Sequence, residues 1–243
     1  MAMTAFYLQL ISRAAAKLER PCRMLSLGYP DMLLTEAQTA ELVGAGNVEH
    51  LRFRDDGPAI LRWHGIQDEV ERVPETRSLL AMLGIRCDFV DIVASRGIER
   101  IVDLNDPAPP EMRGQYDIVF DGGTLEHCFN VGQVMRNMLA FCKPGGFIVH
   151  VNPLNMFNHG FFNFSPTFYL DWYVRSGNQV VTPFFGVSGP LLRQQVVQLE
   201  PLNNFHEAAA RSAIVVVARR VAAGEPAWPT QSKYVENPQL KRE

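Results

Sequence analysis

Blocks of apolar and polar residues along the chain predict alternating strands and helices. Short runs rich in β-branched and aromatic residues are typical of buried strands, and they occur at 23–28, 87–93, 99–104, 116–121, 146–151 and 214–218. Apolar residues at helical spacing predict helices near the N-terminus and at 31–46, 75–83, 131–141 and 166–176. Because strand, helix and strand follow one another with short connections, the pattern favours an α/β fold with a parallel sheet.

The connection between the first two strands is unusually long. From Gly28 to Asp91 the chain advances 91 − 28 = 63 positions, which is more than one crossover helix requires. Either residues 31–74 form an insertion that folds over a site as a lid, or the first strand lies elsewhere. Within this segment, the alternation through residues 60–63 predicts a further strand.

Composition fits a chain that buries a core. Hydrophobic residues make up 47% and charged residues 20%, which excludes general disorder. One domain is expected over 1–222, followed by a loose tail at 223–243 that is rich in Pro, Gln and charge. The formal net charge is −3, so no global positive field exists and nucleic acid is not an expected partner.

The sequence also bears on membrane association and compartment. No apolar run approaches the roughly 20 residues that a membrane-spanning helix needs, and residues 4–11 lack the basic start of a secretory signal. The cysteines form no CxxC pair, so neither a zinc knuckle nor a disulfide framework is indicated. Free thiols among apolar neighbours are typical of a reducing compartment, and a cytoplasmic location is expected.

Polar residues stand where four of the predicted strands end. These ends are marked by Gly28, by Asp91, by residues 103–106 and by residues 121–123. Ligands of open α/β sheets bind beyond the carboxyl ends of the strands. A carboxylate there accepts hydrogen bonds from ribose hydroxyls or an adenine amine, and a glycine lets a ligand approach the backbone. The pattern predicts a nucleoside site, with turn formation as the alternative role of Asp91 and Asp103.

An ordered set of motifs resembles class I S-adenosylmethionine-dependent methyltransferases. Tyr116-Asp-Ile-Val-Phe-Asp121 has the form of the family's fDlV strand, and Leu125-Glu-His127 has the form of its LEH element. The helix at 131–141 and the sequence Lys143-Pro-Gly-Gly146 then precede the next strand in the family's order. The resemblance covers 85–182. It implies a Rossmann-like, mostly parallel sheet of seven strands with helices on both faces and an antiparallel final strand.

The resemblance also implies S-adenosylmethionine as the cofactor. The residues that match the family's binding positions are Asp91 for the ribose, Asp103 and Leu104 beside the adenine, Asp121, Gly122 and Gly123 facing the methionine part, and Gly28 as what remains of the glycine-rich loop. That first loop reads Ser26-Leu-Gly-Tyr-Pro-Asp31 in place of GxGxG. A ligand-binding protein that keeps the fold but has lost methyl transfer is therefore an open alternative. A dinucleotide-dependent enzyme is disfavoured, because GxGxxG is absent.

His159 is the expected catalytic residue. It lies in the loop that follows the strand at 146–151, where the resemblance puts the acceptor beside the methyl donor. Imidazole titrates near neutrality, so His159 is expected to remove a hydroxyl proton, with a loop-organising hydrogen bond as the alternative. The other two histidines of the matching region, His127 and His150, are interpreted as structural.

The acceptor is the least specified part of the prediction. Asn152, Asn155 and Asn158 suit recognition of a polyhydroxylated molecule, so the expected partner is a small molecule or glycan methylated on oxygen. The aromatic helix face at 168–173 is interpreted as core or a subunit contact, which leaves a homo-oligomer open. No HxH or HExxH spacing is present, and no metal is expected.

Overall fold

A computed structural model describes residues 1–67, 69–181, 183–200 and 207–235. Its strands are β1 (Ala2–Met3), β2 (Cys22–Leu27), β3 (Asp31–Met32), β4 (Ile85–Asp91), β5 (Arg100–Ile101), β6 (Tyr116–Asp121), β7 (Cys142–Asn155), β8 (Gln179–Val180), β9 (Phe184–Ser188), β10 (Gln195–Leu199) and β11 (Ser212–Arg219). The α-helices are α1 (Ala5–Ala15), α2 (Glu36–Val43), α3 (Gly57–Trp63), α4 (Thr76–Met82), α5 (Val131–Phe141), α6 (Pro166–Arg175) and α7 (Ser232–Val235). Short 3-10 helices cover Ala45–His50, Pro110–Met112 and Leu125–His127.

One large sheet organises the molecule. Its strands lie in the order β10-β9-β11-β7-β6-β2-β4-β5, and β8 also pairs with β11. The strands from β7 to β5 are parallel, whereas the final strand β11 runs antiparallel to β7. This order confirms the expected Rossmann-like α/β fold. The expected count of seven strands is too low for the described residues, because β8 and β10 enlarge the sheet to nine.

Helices cover both faces of the sheet. β2 is apolar on both faces, as expected for a central parallel strand, and Met24 and Leu25 are both fully buried. Met24 packs in the cluster that contains residues of α1 and α4. Leu25 packs in the opposite cluster with residues of α5 and α6. The core is therefore two apolar layers separated by the sheet.

The long connection from β2 to β4 is an insertion whose two ends meet. The Thr76 hydroxyl donates to the Pro30 carbonyl at 2.7 Å, and the Tyr29 hydroxyl donates to Glu75 Oε1 at 2.7 Å. Glu75 also caps α4, which leads directly into β4. The segment at 31–74 thus leaves the sheet and returns to it at one point. The strand predicted at 23–28 is present as β2.

The interior of the insertion differs from the prediction. Residues 31–46 contain β3 and then α2, which starts with a reciprocal pair of hydrogen bonds between Thr35 and Gln38. The strand predicted at residues 60–63 is wrong, because this segment lies in α3. Ile60 and Leu61 are adjacent and both buried, which a helix face permits and a strand with alternating faces does not. They belong to a small separate core with Leu33, Ile66, Val70, Val73 and Leu192.

The C-terminal stretch lies against the helices as far as it is described. The Trp228 ring is 5.8 Å from the Trp172 ring, and the Arg136 guanidinium lies 4.3 Å from the Trp228 centroid. Residues 236–243 of the expected tail lie outside the described residues. Among the helices that the structure describes, none is long and apolar enough to cross a membrane.

Candidate functional site

Three loops meet at the carboxyl ends of the central strands. In the sheet register, Leu27 of β2 lies between Val90 of β4 and Asp121 of β6. The Gly28 N–H donates to the Val90 carbonyl at 2.7 Å, and the Thr124 hydroxyl donates to the Leu27 carbonyl at 2.6 Å. These bonds draw the loops after β2, β4 and β6 together. We call the surface where these three loops meet the groove; it lies at the position where open α/β sheets bind ligands.

Gly28 and Gly122 line the groove with bare backbone. Gly28 has φ +92°, and a Cβ built there would lie 3.7 Å from Asp91 Oδ2. A Cβ at Gly122 would lie 2.6 Å from the Phe120 ring, so only glycine fits. The groove also holds the side chain of Met1, whose Cε and Sδ lie 2.7 Å from the Cβ positions built at Gly28 and Gly122, respectively. A ligand that approaches both glycines must therefore displace this side chain.

The N-terminal residues are held beside the groove by backbone pairing. β1 pairs in parallel with β3, and the Asp31 N–H donates to the Met1 carbonyl at 2.9 Å. β3 begins the insertion directly after the first loop. The position of Met1 therefore depends on the segment that directly follows the first loop.

Asp91 presents one carboxylate oxygen to the groove. Its Oδ1 accepts from the N–H groups of Ile92 and Val93 at 2.7 and 3.3 Å, which fixes the turn after β4. Its Oδ2 faces Gly28 and accepts no hydrogen bond from the described residues. The side chains of Ile92 and Val93 are 63% and 57% exposed and give apolar surface beside this oxygen. A polar hydroxyl group and a flat apolar ring would both find partners here.

Asp103 and Leu104 follow the short strand β5. Asp91 pairs with Ile101, so Asp103 stands two residues beyond the end of that pairing. Asp103 is exposed, and its Oδ1 accepts from the backbone and side chain of Asn105 at 2.9 Å. Leu104 is buried in the core. The Asp103 side chain is thus accessible to a ligand, whereas the Leu104 side chain packs in the core.

Asp121 differs from the expected groove-facing residue because its side chain is fully buried. Its Oδ1 accepts from the N–H groups of Thr124 and Leu125 at 3.0 and 3.2 Å. Its Oδ2 lies 3.1 Å from His150 Nδ1 and accepts from Asn152 Nδ2 at 2.8 Å. The carboxylate therefore shapes the loop from inside, and only the backbone of the following glycines borders the groove.

The Asp121 carboxylate is the centre of a buried polar network. His150 is fully buried, and its Nε2 lies 2.6 Å from the Tyr173 hydroxyl. The Tyr169 hydroxyl donates to Asn152 Oδ1 at 2.6 Å. Burial raises the pKa values of both tyrosines well above their usual range, so they stay neutral donors. His150 is the core histidine that the sequence predicts.

Glu126 is a buried carboxylate that faces two exposed histidines. Its side chain is 1% exposed, and its Oε2 accepts from Asn152 Nδ2 at 3.1 Å. Its Oε1 lies 3.9 Å from His127 Nε2 and 3.6 Å from His159 Nε2. Burial and the nearby Asp121 raise the pKa of Glu126 to about 7, and burial followed by the nearby His159 lowers the pKa of His127. His127, expected to be structural, is in fact half exposed beside His159.

Backbone contacts fix the His159 loop next to Glu126. The Phe161 N–H donates to the Glu126 carbonyl at 2.8 Å, and a Cβ at Gly160 would lie only 2.8 Å from the same oxygen. Glu126 Oε1 is also 3.2 Å from the Cβ position built at Gly123. His159 is thus close to the loop that borders the groove. Its ring is about half exposed and can reach a molecule in solution.

The three asparagines expected to bind an acceptor lie in different environments. Asn152 is buried, and its amide donates to two carboxylates of the network, so it orients protein groups instead of facing an acceptor. Asn155 is half buried and donates to the Ala208 carbonyl at 2.8 Å. Asn158 is exposed with φ +58°, a turn conformation that asparagine tolerates. Of the three, Asn158 has the side chain most open to solvent.

Sequence reasoning missed Met1, Thr124 and Glu126. Glu126 was within the recognised LEH element, so its position beside a histidine could have marked it. The contact between that element and His159 joins residues from two loops, which only the parallel pairing of β6 and β7 brings together. No sequence signal identifies Met1 as a groove residue.

Comparison by sequence finds no relative. No family model matches the chain, and no curated protein matches it. Comparison by structure finds methyltransferases at low similarity. The CurJ carbon methyltransferase is 13% identical with a TM-score of 0.49, covering 90% of this chain and 54% of its own. An S-adenosylmethionine-dependent methyltransferase from Aquifex aeolicus is 10% identical with a TM-score of 0.43, covering 88% and 89%.

A third similar structure contains a product of methyl transfer. It is the 1,6-didemethyltoxoflavin N1-methyltransferase of Burkholderia thailandensis with bound S-adenosylhomocysteine, 16% identical with a TM-score of 0.42, covering 88% of this chain and 78% of its own. Some of the similar structures are much longer, and the chain spans only 34% to 54% of four of them, CurJ included. The parallel sheet of this chain, with its antiparallel final strand, is a Rossmann-like α/β arrangement as its motifs imply.

Proposed function

We propose that this protein binds S-adenosylmethionine in the groove between Gly28 and Gly122 and transfers its methyl group to a hydroxyl oxygen of a small molecule or glycan. The observation that carries the proposal is Asp91 Oδ2, a carboxylate oxygen that accepts no hydrogen bond from the described residues and faces the Gly28 backbone at the carboxyl end of β4. Such an oxygen accepts hydrogen bonds from ribose hydroxyls. The two glycines allow the methionine part to lie against the backbone.

The cofactor supplies a methyl group made electrophilic by its bond to a positive sulfur. The protein then has three tasks, which are to hold the acceptor close, to align its oxygen with the methyl carbon and to take up a proton. The acceptor oxygen forms a bond to the methyl carbon as the carbon–sulfur bond breaks. The hydroxyl proton passes to His159, which acts as the base in the metal-free protein.

The surroundings of His159 support an acceptor site at this loop. Phe129 and Phe161 are 74% and 64% exposed, and their rings meet edge to face at 5.5 Å. They stand in the same two loops as His127 and His159. This exposed aromatic surface suits an acceptor with an apolar or ring-shaped part, because burying such a part against aromatic side chains is favourable.

A protein that binds the cofactor without transfer is the second candidate. It is favoured by the Met1 side chain in the groove and by the first loop, which lacks the usual glycines. Such a protein would bind S-adenosylhomocysteine with measurable affinity and label no acceptor. Both candidates therefore predict cofactor binding, and only the first predicts methyl transfer to an acceptor.

The test is transfer of radiolabelled methyl groups. The protein is incubated with methyl-labelled S-adenosylmethionine and panels of phenols, alcohols and sugars, with matched amines as controls. The proposal predicts label on a hydroxyl compound, and His159→Ala should lower the rate by about a hundredfold or more with little change in cofactor affinity. Label on amines alone would contradict oxygen transfer. Binding without any label would support the second candidate.

A further inference from the structure

The side chains of Glu126, His127 and His159 lie close together in the loops after β6 and β7. One ligand atom from each side chain lies within 4.8 Å of the other two. The distances from Glu126 Oε1 to the two imidazole Nε2 atoms are 3.9 and 3.6 Å. Two atoms bound tetrahedrally to one zinc ion, with bonds of about 2.0–2.1 Å, are about 3.3 Å apart. The carboxylate oxygen is thus about 0.3–0.6 Å farther from each imidazole nitrogen than a shared zinc ion requires. The two imidazole nitrogens, within 4.8 Å of each other, must also approach for all three atoms to bind one ion.

We propose that these three side chains bind one divalent transition-metal ion. Two imidazoles and one carboxylate are a donor set typical of Zn²⁺, Co²⁺ and Mn²⁺, whereas Mg²⁺ and Ca²⁺ prefer oxygen donors alone. Three protein ligands leave at least one coordination position open, as in catalytic metal sites. Because both histidines are about half exposed, that open position faces the solvent side of the loops.

The groups behind the ligands are arranged as a metal site requires. Asn152 donates to Glu126 Oε2, and this leaves Oε1 directed toward the histidines. Asn152 is held in turn by the Tyr169 hydroxyl and by Asp121. Metal ligands depend on such outer partners for their orientation. The carboxylate is therefore oriented before an ion arrives.

The backbone fixes the third ligand in the same way. The bond from the Phe161 N–H to the Glu126 carbonyl ties the His159 loop to the loop of the other two ligands. Gly160 allows this approach, since a side chain there would collide with the Glu126 backbone. The two loops thus form one unit, although their histidines are separated by 159 − 127 = 32 positions in the sequence.

The ion would act on the acceptor. An acceptor hydroxyl that takes the open position loses its proton to solvent water more readily, because the metal charge stabilises the oxyanion. His159 then serves as a ligand, and its lone pair is no longer available as a base. This role in transfer rests on the proposed function, whereas metal binding itself does not.

Metal binding is measured directly, without cofactor or acceptor. Chelator-treated protein is titrated with Zn²⁺ by calorimetry and with Co²⁺ by visible absorption, which reports nitrogen ligation. We expect one ion per chain. His159→Ala and Glu126→Gln should each weaken binding at least about tenfold, since even the loss of an outer partner costs that much. His50→Ala is the matched control, because His50 is 68% exposed beside Glu49 in an unrelated 3-10 helix.

The outcomes separate the two proposals. Unchanged Zn²⁺ affinity in His159→Ala, or an equal loss in His50→Ala, would overturn the metal site. Glu126→Gln keeps the size of the side chain, and the half-exposed His159 tolerates truncation, so at least one variant stays folded. Each sample is also titrated with S-adenosylhomocysteine. If the protein binds S-adenosylhomocysteine but no metal ion, only the metal site is refuted. If it binds the metal ion but no S-adenosylhomocysteine, only the proposed function is refuted.

Discussion

Asp91→Asn should weaken cofactor binding and leave the fold intact. The substitution keeps the side-chain shape and one carbonyl-type oxygen, which can still accept from the Ile92 and Val93 N–H groups as Oδ1 does now. The amide NH₂ then takes the place of Oδ2, the oxygen that faces Gly28. A donor there cannot accept from ribose hydroxyls. The change therefore removes the proposed contact and preserves the turn.

The magnitude follows from the kind of bond that is lost. A hydrogen bond to a charged group contributes about 1.5–3 kcal/mol. Since each 1.4 kcal/mol corresponds to a tenfold change in Kd, the affinity for S-adenosylhomocysteine should fall roughly 10- to 150-fold. The free energy of unfolding should change by less than about 1 kcal/mol, because the substituted side chain is partly exposed and the turn keeps its bonds.

Calorimetric titration with S-adenosylhomocysteine measures the first quantity and urea denaturation the second. Asp88→Asn is the control, because Asp88 lies on the same strand about 10 Å away and pairs with Arg23 at 2.8 Å. Its effect on cofactor affinity should stay within about twofold. Equal affinity in wild type and Asp91→Asn, or equal losses in both variants, would refute the assignment of Asp91 to the ribose.

Three further predictions concern other parts of the molecule. A chain that begins at Ala2 should bind S-adenosylhomocysteine up to about tenfold more tightly in calorimetry than the chain with Met1, because no partly buried thioether has to be displaced; equal affinity would contradict this. Tyr173→Phe should lower the free energy of unfolding by about 1–3 kcal/mol in urea, because it leaves buried His150 Nε2 without its partner, whereas exposed Tyr234→Phe should have no effect. If residues 31–74 cover the cofactor, S-adenosylhomocysteine should slow amide exchange within them. Equal exchange with and without the ligand would show that these residues do not act as a lid.

Local sequence patterns predicted the helices and strands that have a clear cap, a single apolar face or an uninterrupted apolar run. The helix at 131–141 has the predicted bounds, because Asn130 caps its start and its apolar residues lie on one face. The central strands were recognisable as short runs that are apolar on both faces. In contrast, Ile60 and Leu61 belong to a helix that packs against Leu192, a contact that no local pattern reveals. The antiparallel hairpin of β9 and β10 was likewise not predicted.

The candidate site was predictable where it depends on strand ends. Gly28 and Asp91 could be found because parallel strands bring their carboxyl ends to one edge of the sheet. The contact of Glu126 and His127 with His159 could not, because it depends on how two loops fold back on each other. The position of Met1 depends on the pairing of β1 with β3 inside an irregular insertion. Both features are tertiary contacts between segments that carry no shared sequence motif.

The most direct test of the central claim is a crystal structure of the protein with S-adenosylhomocysteine bound. We predict ribose hydroxyls on Asp91 Oδ2 and the homocysteine part between Gly28 and Gly122, with the Met1 side chain moved out of the groove. Ligand density at any other place, with Met1 still between the two glycines, would contradict the account.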